Sequence, residues 1–121
     1  MYTPIITGSG VFTPENVISN AELVESFNAY VDRWNAEHAE DIAAGQIAPK
    51  EHSSAEFIVA ASGIEQRSVI DKEGVLDPDR MFPRLDSRPD EAPSLMAEMA
   101  LDAIRIALAE AGRAPEDVDL I

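Results

Sequence analysis

From Ser94 the chain reads Ser-Leu-Met-Ala-Glu-Met-Ala-Leu-Asp-Ala-Ile-Arg-Ile-Ala-Leu-Ala-Glu-Ala111, and its pattern is the most regular in the sequence. Leu101, Ile104, Leu108 and Ala111 recur at three- and four-residue steps, which places them on one helical face. Met96, Met99, Ala100, Ala103 and Ala107 widen that face and leave Glu98, Asp102 and Arg105 as a narrow polar strip. Ser94, behind Pro93, supplies an N-cap, and Gly112 supplies the left-handed residue that ends a helix. A helix this apolar is expected to be buried on most sides. Its alanines predict close approach to a neighbouring surface, which a sheet would provide.

Beyond Gly112 a turn, Arg-Ala-Pro-Glu-Asp, leads into Val118-Asp-Leu-Ile121. Val-x-Leu-Ile after a buried helix reads as the opening of a strand in a βα unit. Buried strands usually run about five or six residues, so this one has barely begun. The expectation is that the chain is the N-terminal piece of a larger protein.

The sequence has 121 residues, of which 45% are hydrophobic and 26% charged, a globular composition. Its formal net charge of -14 argues against a nucleic-acid groove or an anionic membrane as partner. It contains no cysteine, hence no disulfide, thiolate metal site or thiol nucleophile within these residues. The start, Met-Tyr-Thr-Pro-Ile-Ile, lacks a basic region and an apolar signal core, and no stretch is long enough to span a bilayer. A cytoplasmic location is expected.

Earlier in the chain, residues 3–9 begin with β-branched residues and predict a strand that runs into a glycine-rich turn. Gly8-Ser9-Gly10 is not a dinucleotide fingerprint: the third glycine is missing, and Pro14 follows where a helix should open. Tight packing of backbone against a neighbour accounts better for those glycines. Ser19 and Glu22 have capping-box spacing, with Asn20 as an alternative cap. The helix they open places Leu23, Phe27, Tyr30 or Val31, Trp34 and His38 along one side and extends as far as Ala44. Its other face, with Glu25, Asp32, Arg33 and Glu40, reads as solvated surface.

Gln46 to His52 is a loop, after which Ser53 or Ser54 caps a short helix over 55–61 that stops at Ser62-Gly63. Residues 64–70 alternate and predict a strand. Asp71 to Pro93, rich in proline, aspartate and arginine, reads as a functional loop, lid or contact arm. His38 and His52 have no neighbours that make them a metal ligand or a catalytic base, so packing or surface roles are expected for both. Trp34 reads as a core or interface anchor. The residues alone assemble no catalytic constellation.

Three stretches together resemble the N-terminal portion of 3-oxoacyl-acyl-carrier-protein synthase III, one of the thiolase-like condensing enzymes. They are Ile6-Thr-Gly-Ser-Gly-Val-Phe-Thr-Pro14 continued by Val17-Ile-Ser-Asn-Ala-Glu-Leu23, then Glu56-Phe-Ile-Val-Ala-Ala-Ser-Gly-Ile-Glu-Gln-Arg67, and finally Ser94 through Ile121. The match breaks at roughly residues 30–52 and 71–92, which suggests insertions and a longer subgroup. The resemblance implies an α/β class, the N-terminal part of a layered α/β/α fold with an incomplete sheet in this chain. Residues 1–121 would comprise core strand 3–9, an edge excursion over 20–92, core helix 94–111 and the start of a core strand at 118–121.

The resemblance implies a decarboxylative Claisen condensation of an acyl thioester with malonyl-acyl-carrier protein, in fatty-acid-type biosynthesis. Such chemistry needs a low-pKa thiolate plus His and Asn to stabilise enolate and oxyanion. In the family all three lie beyond Ile121, so no catalytic residue and no metal site is assigned here. The implied partners are acyl-carrier protein, acyl-coenzyme A or a related thioester, and a second copy in a homodimer. No cofactor is implied beyond the thioester substrate.

In the shorter enzymes a tryptophan and, four residues on, an arginine clamp the adenine of coenzyme A. Matching from Gly63 puts Phe57 and Ala61 at those positions, with Ser53 available for a polar contact. Phe57 retains a stacking surface, whereas Ala61 offers neither charge nor plane, which implies either a weak grip on the nucleotide or two residues that simply pack inside an edge helix. Two other readings stay open: a thiolase-like relative with another acyl acceptor, and a noncatalytic acidic interaction module or subunit.

Overall fold

A computed structural model describes residues 3–119, which divide into two compact units, 14–85 and 3–13 with 86–119. In the first unit, strand β1 (Asn16–Ser19) runs directly into helix α1 (Asn20–Glu37). Strand β2 (Gln66–Val69) pairs antiparallel with β1, Asn16 opposite Val69 and Ser19 opposite Gln66. Between them lie helices α2 (Ala39–Ala43) and α3 (Ala55–Ser62), and α4 (Lys72–Leu76) follows β2.

The capping box read from Ser19 and Glu22 is present in full. The Ser19 hydroxyl accepts from the Glu22 amide, while the Glu22 carboxylate accepts from the Ser19 amide at 2.9 Å. Lys72 reaches the same carboxylate at 2.5 Å and, with the Ser19 donors, pulls the Glu22 pKa from its ordinary value near 4.5 down to about 2. Asn20 is buried, with 4% of its surface exposed, and ties α1 to the turn after α3. Its side-chain amide donates to the Ile64 carbonyl at 2.6 Å, its backbone N–H donates to Glu65, and its carbonyl oxygen accepts from Arg67. Ile18 and Val31, both at 0% exposure, form the small core this sheet and helix enclose.

The ends of α3 agree with its sequence signals: Ser54 accepts from the Phe57 amide, and Gly63, at φ 69°, closes the helix. The long first helix does not reach Ala44 unbroken. His38 interrupts it, turning its backbone N–H to Trp34 and Ala36, and α2 starts afresh. Part of the expected aperiodic stretch after Asp71 is also ordered. Asp71 caps α4 through Glu73 and Gly74 and accepts the Arg84 amide, which together hold its carboxyl below the usual range. The chain from 77 to 85 thereby folds back on α4, so closely that a Cβ on Gly74 would lie 2.7 Å from both the Arg84 nitrogen and the Phe82 carbonyl.

The second unit is built on α5 (Leu95–Ala111), capped by Ser94 and ended by Gly112 at φ 60°, as its pattern predicts. A 3₁₀ turn, Pro115–Asp117, follows. Segment 3–13 lies on the small-residue stripe Ala103, Ala107, Ala111. A Cβ on Gly10 would meet the Ala103 carbonyl at 1.9 Å, and one on Gly8 the Ala107 carbonyl at 2.2 Å. Close backbone approach is therefore what these glycines permit. Ser9 adds a latch, donating its amide to Glu110 at 2.6 Å and its hydroxyl at 3.1 Å, which lowers the Glu110 pKa.

Three expectations differ from this unit. Residues 3–9 form no strand, because no neighbouring strand pairs with them among the described residues. Val118 and Asp119 are likewise not in a strand, and the remainder of that expected strand, 120–121, lies outside the described residues. Helix α5 has no buried residue; Ala103, Ala107, Ala111, Met99 and Leu108 are only half-buried, and Met96, Leu101, Ile104 and Ile106 remain exposed.

Candidate functional site

Helix α1 carries Asn28, Asp32 and Asn35 at steps of four and three, a polar line along one face. That line grips residues 50–53. The Asn35 side chain accepts from the Lys50 amide at 2.9 Å and donates to the Lys50 carbonyl at 3.0 Å. Two turns away, Asn28 does the same for Ser53, at 2.9 Å and 3.1 Å. Between them Asp32 meets His52 Nε2 at 2.6 Å. A carboxylate only accepts, so the donor in this contact is the imidazole Nε2–H.

Each asparagine thus offers the extended segment one acceptor and one donor, as a neighbouring strand would. On sequence alone Asp32 belongs to a solvated face, and Asn28 and Asn35 have no assigned role. Their regular helical spacing was the signal available for them.

On the same stretch of α1, Trp34 stacks on the His38 ring with centroids 4.2 Å apart, and His38 Nδ1 lies 2.8 Å from the Trp34 carbonyl. Lys50 sits over Trp34, 4.6 Å from its centroid, and 5.7 Å from that of Tyr30. Both histidines therefore have packing and surface contacts. No group of three His, Asp or Glu placed to hold a metal occurs among the described residues.

Two of the three residues singled out from the sequence come together. Ser53 and Phe57 line a cavity of about 490 Å³ with Phe27, Glu51, His52 and Ser54. Phe57 presents its ring to solvent, 66% exposed. Ala61, four residues further along α3, is exposed and is not among the lining residues. A second cavity of about 300 Å³ adjoins the same corner, walled by Leu23, Val24, Phe27, Ser53, Ile58 and Met81. Neither set of walls includes a lysine or an arginine. The site can stack a planar or apolar group and exchange hydrogen bonds, but it supplies no fixed cation.

No protein-family profile matches the chain. Among curated proteins it is similar to a beta-ketodecanoyl-[acyl-carrier-protein] synthase of Pseudomonas aeruginosa, 48% identical over 96 residues. Those residues make up 79% of this chain and 27% of that protein, so the chain spans about a quarter of the length of the relative. The likeness supports a condensing-enzyme family, within the β-ketoacyl-acyl-carrier-protein synthases. The mixed helices and two-stranded sheet are compatible with part of an α/β fold. No described helix is long and apolar enough to cross a membrane.

Proposed function

We propose that this chain is the N-terminal portion of a thiolase-like condensing enzyme of the 3-oxoacyl-acyl-carrier-protein synthase III type. The observation that carries the reading is the 48% identity over 96 residues to a synthase named for its acyl-carrier-protein product. In the proposed reaction an enzyme thiolate takes the acyl group from an acyl thioester and expels the carrier thiolate. Malonyl-acyl-carrier protein then loses carbon dioxide, and its enolate attacks the acyl-enzyme carbonyl, releasing the enzyme thiolate. This sequence has no cysteine, so the nucleophile belongs to another part of the proposed enzyme. The reaction draws on no resident cofactor, and a homodimer is the proposed assembly.

Carbon balance narrows the donor. A decanoyl-length 3-oxo product that gains two carbons from malonate starts from an eight-carbon acyl group, and we carry that length over to this enzyme. The part assigned to the present residues is the nucleotide end of the donor, at Ser53 and Phe57. Phe57 offers its exposed ring for stacking. Ala61 offers no cation to close the other side, and Lys50, the cation on the adjoining segment, is occupied over Trp34 and Tyr30. A weak hold on the nucleotide follows.

The test uses the complete enzyme with one acyl chain carried on coenzyme A or on a short pantetheine. The reading predicts similar kcat/KM for the two donors and little effect of Phe57→Ala on their ratio. A strong preference for the coenzyme A donor, abolished by Phe57→Ala, would show a functioning clamp and overturn the weak hold.

A further inference from the structure

The sequence has two lysines, Lys50 and Lys72, and the fold engages their amines differently. Lys72 meets the Glu22 carboxylate at 2.5 Å, on the same acid that closes the α1 cap. Lys50 is exposed and has no carboxylate in ion-pair contact among the described residues. Its ammonium lies over two rings, 4.6 Å from the Trp34 centroid and 5.7 Å from that of Tyr30. Asn35 fixes it there by bonding both the amide and the carbonyl of Lys50. We propose that Lys50 is an Nε-acylation site, modified by acyl thioesters in preference to Lys72, with the acyl group laid on the Tyr30 and Trp34 faces.

The chemistry is an acyl transfer from sulfur to nitrogen. The Lys50 ammonium first gives one proton to solvent, and the free amine attacks the thioester carbonyl. The C–N bond of an amide forms, the C–S bond breaks, and the departing thiolate takes up the second nitrogen proton as a thiol. No oxidant or reductant enters.

The surroundings decide between the two lysines. An ammonium has no lone pair to attack with, and a carboxylate partner favours that charged form. Acylating Lys72 would also strip Glu22 of its partner. At Lys50 the cation over the rings is lost as well, but an acyl chain replaces it with an apolar group that ring faces accept. No ring lies beneath Lys72 among the described residues. Acylation therefore ends the cation–π contact of segment 50–53 with α1 and substitutes an apolar one. The donor class is taken from the proposed condensing reaction; the site uses neither that reaction nor the cavity walled by Ser53 and Phe57.

The experiment incubates the full chain with acetyl- or octanoyl-coenzyme A, without any malonyl substrate, and follows each lysine by peptide mass spectrometry. The initial rate at Lys50 is expected to exceed that at Lys72 by about fivefold, the upper worth of an exposed ion pair. The ratio should be larger with the octanoyl donor, whose chain has rings to lie on only at Lys50. Glu22→Gln still offers an N3 group for the cap and releases Lys72, so the ratio should fall. In urea the two lysines should react alike. Lys72 reacting as fast as Lys50 in the folded chain would overturn the proposal, as would no acylation at Lys50. So would a ratio unchanged by Glu22→Gln, one that persists in urea, or one equal for the two donors. None of these readings depends on condensation, so failure here is distinguishable from failure of the proposed function.

Discussion

At Gly10 a single added carbon decides whether segment 3–13 can lie on α5. Its Cβ would sit 1.9 Å from the Ala103 carbonyl and 2.8 Å from the Ala107 amide, both backbone atoms that no rotamer change can move. Gly10→Ala is expected to destabilise the full chain by about 1–3 kcal/mol, the usual cost of overpacking, as read by urea denaturation. An unchanged midpoint would contradict the close approach. This contact was legible in the sequence, because paired glycines without a fingerprint and a stripe of alanines ask for the same thing. The grip of Asn28 and Asn35 on residues 50–53 was not. Polar residues on a helix face read as solvated until the chain that uses them is known, and here that chain returns after a break at His38 and a second helix.

Among the elements, α1, α3 and α5 were recognisable from their caps, since Ser19, Ser54 and Ser94 each accept a bond from the first turn; α3 and α5 ended near the expected residues, whereas α1 stops at Glu37. Helix α4 was hidden by length, five residues being too few to display a period, and strand β1 by running straight into the α1 cap. The burial of α5 was misread for a different reason. An apolar face shows what a helix can bury, whereas what covers it depends on other chain.

The α1 cap makes two predictions of its own. Ser19→Ala is expected to cost about 0.5–2 kcal/mol in thermal or urea unfolding, the range for a lost N-cap. The second concerns pH. Glu22 has its pKa depressed from near 4.5 to about 2 by Lys72 and Ser19, so the folded state favours its charged form. Its contribution is therefore fully present above about 4.5 and is lost as pH falls through that interval toward about 2. Lys72→Met removes the largest cause and should flatten this part of the stability–pH curve. An unaltered acid limb in Lys72→Met would show that the ion pair does not shift Glu22.

For the molecule as a whole, charge bears on how the proposed enzyme meets its carrier. Acyl-carrier proteins are acidic, and a chain of net charge -14 attracts one only through a local excess of cations. The arginines of the 77–93 region are already engaged. Arg84 pairs with Asp77, Arg88 with Glu98, and Arg80 lies over Phe82, 4.1 Å from its centroid, while donating to the Phe82 carbonyl. Charge reversal at Arg80, Arg84 or Arg88 in the complete enzyme is thus expected to leave the carrier-protein KM nearly unchanged. A large, salt-sensitive rise would place docking on this region.

The central claim is the condensing reaction, and its products test it directly. The complete protein containing this sequence would be incubated with an octanoyl thioester and malonyl-acyl-carrier protein labelled at the free carboxyl. Release of labelled carbon dioxide in step with 3-oxodecanoyl-carrier protein, dependent on the octanoyl donor, is the predicted result. If neither product forms while the protein is folded, or if carbon dioxide is released with no 3-oxoacyl product, the account is contradicted.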